Sequence, residues 1–155
     1  MRGAVSNSSA GITALAQEAA DTFRVYGKDH MHPVELRAND SAQLASWVTR
    51  ALQHPVTIPD LTQSGYRFMG GRVVPTAHGA AVMFMYDDDH GTRLTMLARP
   101  MTVDREAPMS ERAMGDVRGY AWADKGIGYS LVGEIPSELL HPLANEIRRQ
   151  AGQNV

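Results

Sequence analysis

Apolar residues recur at three- and four-residue steps through Ile12, Leu15, Ala16, Ala19, Ala20 and Phe23. That period marks one face of a helix, and it predicts a helix over about 12–26 that stops at Gly27. Residues 1–11 are small and polar and are expected to be a disordered or artificially added N-terminus. The segment Asp29 to Leu36 is expected to be extended, because Pro33 forbids a helix interior. A second helix is expected to start near Asn39-Asp40-Ser41, a run of good cap residues. Its apolar face would carry Leu44, Ala45, Trp47, Val48, Ala51 and Leu52, and Pro55 would end it. The following Val56 to Leu61 contains two prolines and reads as a loop or an edge segment.

From Tyr66 the period becomes two. Tyr66–Met69 and Arg72–Val74 flank Gly70-Gly71, which suits either a tight hairpin or a glycine bulge. Ala80–Asp87 and Thr92–Arg99 flank the turn Asp88 to Gly91. Strand 80–87 alternates Val82, Phe84 and Tyr86 with Met83 and Met85, so it is expected to be covered on both faces. Val117–Ala123 and Ile127–Gly133 form a third hairpin around Asp124-Lys125-Gly126. Between them, Pro100 to Gly115 shows no apolar period and is expected to be a mobile loop. A last helix is expected from Pro136-Ser137-Glu138, with Leu139, Leu140, Leu143, Ala144 and Ile147 inward. The fold class expected is α+β: an antiparallel meander of about five to six strands with two N-terminal helices and one C-terminal helix.

Composition narrows the functions this fold could serve. At 155 residues the chain can bury about two-thirds of its surface in a single domain, expected over 12–151. With no cysteine it has no disulfide, thiolate zinc site or cysteine nucleophile. A net charge of −2 argues against nucleic acid as a partner. The longest apolar run, Ala80 to Met85, is far too short to span a bilayer, so the chain as written reads as a soluble domain.

No nucleophile elbow, phosphate loop or paired-histidine zinc motif is present. His30-Met31-His32 is the most metal-like string, since alternate strand positions put His30 and His32 on one face with a soft thioether between them. A metal- or small-ligand-binding module using these residues is therefore the alternative function. Asp87-Asp88-Asp89 could meet a hard cation, but it lacks the ligand spacing of a calcium loop and reads as a solvated turn. Of nine methionines, Met69, Met83, Met85 and Met96 are expected to fill a core, while Met101, Met109 and Met114 fall in the expected loop. Tyr120, Trp122 and Tyr129 are expected to pack together across their hairpin. Neither catalysis nor a cofactor is expected.

One ordered series goes further. His32-Pro33-Val34-Glu35 precedes the amphipathic segment with Trp47, and Pro59-Asp60-Leu61, Gly65-Tyr66-Arg67 and Gly70-Gly71-Arg72 follow. Phe84-Met85-Tyr86-Asp87-Asp88, Gly91-Thr92-Arg93 and the block from Tyr120 to Glu134 complete it. This series resembles the extracytoplasmic part of a family of bacterial transmembrane anti-sigma factors that act on extracytoplasmic-function (ECF) sigma factors. The resemblance implies a parent protein in the bacterial inner membrane with this domain in the periplasm. It implies an ECF sigma factor bound through a cytoplasmic domain that this chain lacks, together with an extracytoplasmic signal or protein partner. Helix 12–26 would then lie nearest the membrane, loop 100–115 would be a candidate for coupling or cleavage, and a homodimer could form through the amphipathic first helix.

Overall fold

The computed structural model describes residues 11–27, 36–37 and 41–152, with side chains omitted for 36–37 and 41–42. Helix α1 spans Ile12–Thr22 and continues as a π-helical turn, Phe23–Gly27. Helix α2 spans Ser41–Leu52 and α3 spans Ser137–Gly152. The strands are β1 (Leu36–Arg37), β2 (Arg67–Thr76), β3 (Gly79–Asp87), β4 (Arg93–Pro100), β5 (Ala107–Met114), β6 (Val117–Asp124) and β7 (Ile127–Gly133). Their order in the sheet is β1-β2-β3-β4-β7-β6-β5. Every neighbouring pair is antiparallel, so two meanders, β2–β4 and β5–β7, meet at the β4–β7 ladder. The α+β class and the antiparallel sheet are as the sequence pattern predicts.

The two-sided burial of β3 follows from its alternation. Val82, Phe84 and Tyr86 join a core with α2 and α3. Ala81, Met83 and Met85 join a second core beneath α1. The sheet is thus a middle layer, with α1 on one face and α2 and α3 on the other. Leu15, Ala19, Ala20 and Phe23 of α1 are buried against it, which leaves Val25 as an exposed large apolar residue at the helix end. The apolar face expected to serve a homodimer is therefore already covered within the chain.

One of the two solutions open at Gly70-Gly71 is taken, and one other segment differs from the sequence expectation. The Gly70-Gly71 pair is a bulge and not a hairpin: β2 runs through it, with a register shift between Phe68 and Gly70 against β3. Gly70 takes φ +136, a conformation that a residue with Cβ rarely adopts. The true turn lies two pairs beyond Val74, between Thr76 and Gly79. The expected loop Pro100 to Gly115 is corrected. Only 101–106 is irregular, and Ala107–Met114 is strand β5 paired with β6. As an edge strand carrying Ser110, Glu111 and Arg112 it presents no apolar alternation, so a search for hydrophobic period passes over it. Met101, expected to be exposed, is 3% accessible and part of the core under α1.

Helix α1 approaches the sheet closely because the strands beneath it carry small residues. A Cβ added at Gly128 would lie 2.6 Å from Met101 Sδ and 2.7 Å from Leu15 Cδ2. Gly128→Ala is therefore expected to cost about 1–3 kcal/mol through overpacking. In urea titrations this should lower the unfolding midpoint without altering the slope.

Candidate functional site

The most buried charge among the described residues is Arg99, on the α1 face of β4 and 1% accessible. Its Nε donates to Glu18 Oε1 of α1 at 2.7 Å. Nη1 donates to the Pro100 carbonyl at 3.2 Å and contacts Met101 Sδ at 3.4 Å, while Nη2 is buried without a partner. The other carboxylate oxygen of Glu18, Oε2, meets His78 Nδ1 of the β2–β3 turn at 2.8 Å. One carboxylate therefore ties α1 to a central strand and to a hairpin tip. Removing it would strand a guanidinium that has left water, which is costly.

Further contacts hold α1 at its ends. The Ile12 N–H donates to Asp104 Oδ2 at 2.9 Å, and Arg24 Nη2 donates to the Met114 carbonyl at 2.7 Å. The Arg72 guanidinium lies 4.1 Å from the centre of the Tyr26 ring, a cation–π contact between β2 and the π-turn.

Several residues of the family-like series lie on or beside the opposite core. The Tyr86 hydroxyl, fully buried, donates to the Pro59 carbonyl at 2.6 Å. Burial pushes this phenol well above its ordinary pKa, with Asp60 adding to the effect, so it remains a donor. The next residue, Asp60, is clamped to α3: its N–H donates to Gln150 Oε1 and its carbonyl accepts from Gln150 Nε2, both at 2.8 Å. Its carboxylate accepts the Thr62 N–H at 3.0 Å and the Thr62 hydroxyl at 2.7 Å, which holds its pKa below the usual range. Trp47 packs half-buried against the same core. Gly70 and Gly71 pair with Arg37 and Leu36 of β1, and Gly91 closes the β3–β4 turn. His30, His32, Pro33 and Glu35 lie outside the described residues, so the metal string and the first motif have no geometry here.

Each carboxylate of the Asp87-Asp88-Asp89 triplet has its own partners. Asp87 takes a bidentate contact from Arg93, at 2.7 Å to Nε and 2.8 Å to Nη2. Asp88 accepts the N–H groups of His90 and Thr92 at 2.9 and 2.8 Å, and the Thr92 bond leads in lowering its pKa. Asp89 pairs with Arg67. No group of three or more metal-ligating side chains occurs among the described residues. Asp87, Asp88, Arg67 and Arg93 line a cleft of about 410 Å³, together with Phe23, Gly27 and Ile135. This cleft abuts the end of α1, and sequence period alone gives no sign of it because its walls come from five separate segments.

Trp122 and Tyr129 stack at 5.4 Å across their hairpin, and Tyr120 stacks on His141 of α3 at 4.9 Å. These aromatics form packing contacts, as their alternation leads one to expect. No protein-family model matches the chain, and no curated protein matches it. No helix among the described residues is long and apolar enough to cross a membrane.

Glu18→Gln should destabilise the fold by about 3–5 kcal/mol, because Arg99 keeps its buried charge and loses its counter-charge. Thermal or urea unfolding measures the loss, and a Glu18→Leu/Arg99→Met double variant should recover much of it. A second expectation concerns pH. The Arg149 and Gln150 donors hold the Glu146 carboxyl at about 2, below its unfolded value of 4.5. A depressed carboxylate stabilises fully above the unfolded pKa and stops doing so as pH falls through the folded one. Stability should therefore decline between about pH 4.5 and 2, and Glu146→Gln should flatten that decline.

Proposed function

We propose that this chain is the extracytoplasmic, sensory domain of a membrane-bound anti-sigma factor that controls an ECF sigma factor, and that it acts without catalysis. The observation that carries the reading is where the described residues of the family-like series fall. Pro59 is held by Tyr86, Asp60 by Gln150, and Arg72 stacks on Tyr26, while Gly70 shapes the bulge. These residues serve as scaffold contacts and do not converge on a reacting centre. That pattern suits a domain whose shared residues preserve a shape that can be sensed or moved.

In this reading α1 stands nearest the membrane. A domain on the far side of a bilayer can alter sigma-factor release only by changing conformation, association or susceptibility to cleavage. A signal must then bind two states with different affinity. The cleft bounded by Phe23 and Gly27 lies where an occupant would touch both the end of α1 and the sheet.

The test is made in the cell of origin. Deleting residues 12–151 from the encoded protein should change transcription from promoters of the ECF sigma factor it controls, and the full-length protein should co-purify with that factor. Unchanged transcription, with no sigma factor recovered, would reject the proposal.

A further inference from the structure

Five methionines collect in one layer. Met83, Met85 and Met101 are buried at 0%, 0% and 3% in the core beneath α1, and Met69 and Met114 pack half-buried at its rim. Two further contacts show that this rim is also where α1 is fastened. Arg24 of the π-turn donates to the Met114 carbonyl, and Met69 occupies the β2 bulge, three residues before the Arg72 that stacks on Tyr26. Between Leu15 and Phe23 the helix side of this interface offers small residues, Ala16, Ala19 and Ala20. On the sheet side, thioethers stand beside Val74, Leu97, Val117 and Val132 in the apolar layer that α1 covers. Met109 is the natural contrast: it is also half-buried, but it packs against the opposite core.

We propose that Met69 and Met114 are oxidation sites whose conversion to sulfoxide loosens α1 from the sheet. The oxidant is of the two-electron class, such as hypochlorous acid. The thioether sulfur attacks the electrophilic chlorine, an S–Cl bond forms as the O–Cl bond breaks and hydroxide leaves; water then displaces chloride from sulfur, forming the S–O bond and releasing two protons, one of which neutralises the hydroxide. The sulfur is oxidised by two electrons and the chlorine is reduced by two. The product is a polar, chiral group where the rim offered an apolar one, and such groups disrupt methionine-built contacts. Loosening then uncovers Met101, Met83 and Met85, so a second wave of oxidation follows the first. Sulfoxide reductases reverse the chemistry. The inference rests on the sensor reading for its meaning in the cell, but the loosening belongs to the chain itself.

The experiment treats the 155-residue chain with graded hypochlorous acid and reads each methionine by peptide mass spectrometry and α1 by amide hydrogen exchange. Met69, Met109 and Met114 should oxidise first. Exchange in α1 should rise by about tenfold or more, in step with Met69 and Met114 and ahead of the buried methionines. Met69→Leu/Met114→Leu should keep α1 protected at the same dose, Met109→Leu should give no protection, and sulfoxide reductase should restore the untreated exchange. Unchanged α1 exchange after complete sulfoxidation of Met69 and Met114 would overturn the inference, as would equal protection by Met109→Leu. The wild-type dose series decides the matter even if the double variant does not fold. A positive exchange result with no sigma-factor phenotype would sink the sensor reading and leave the oxidation seam standing.

Discussion

The ladder between β4 and β7, from Leu94↔Gly133 to Pro100↔Ile127, is the junction on which the rest of the fold depends. Each three-stranded meander joins strands adjacent in sequence, and this ladder joins the two meanders into one sheet. Once β4 and β7 pair, Met96 and Leu131 share one core while Leu97 and Val132 share the other. The two helical layers then have a surface wide enough to cover. The same ladder sets Arg99 opposite Gly128, so a large buried cation and a site with no side chain are neighbours. Helix α1 makes use of both, resting on the glycine through Leu15 and neutralising the arginine through Glu18.

The two faces of the sheet are held by different means. The face under α2 and α3 is aromatic and aliphatic, with Trp122, Tyr86, Phe84 and several leucines giving large contact areas in fixed rotamers. The face under α1 combines alanines with unbranched, polarizable methionines, and it adds the charged contact at Glu18. A helix that packs partly through alanines on flexible thioethers can part from its sheet at lower cost than one interlocked by aromatic rings. This difference gives physical content to the idea that α1 is the moving element and that α2, α3 and the strands are the frame.

Much of this was legible in the chain. The double-sided alternation of strand 80–87 foretold both cores, and the helical periods located all three helices. Tyr86 and Pro59 stand in the family-like series, but the hydrogen bond between them joins residues 27 apart and has no local signal. The Glu18–Arg99 pair, separated by 81 residues, was illegible for the same reason. Strand β5 was hidden because an edge strand need not alternate apolar with polar, and the Gly70-Gly71 pair admitted two local solutions that only pairing with β3 decides. The methionines were visible as a count, whereas their gathering under one helix required the topology.

The polar character of β5 has a consequence for how copies of the chain meet. At the end of the sheet order, β5 has no partner on its outer side among the described residues. Antiparallel pairing with its twin must match residues of the same hydrogen-bonding parity, so the two residue numbers sum to an even value. A ladder centred on the middle of the strand then sets Ser110 against Ser110 or Glu111 against Glu111. In the second register like charges face each other across the new seam, and in either one Pro108 near the strand's start has no N–H to offer it. The open border of the sheet thus discourages its own extension into a fibre.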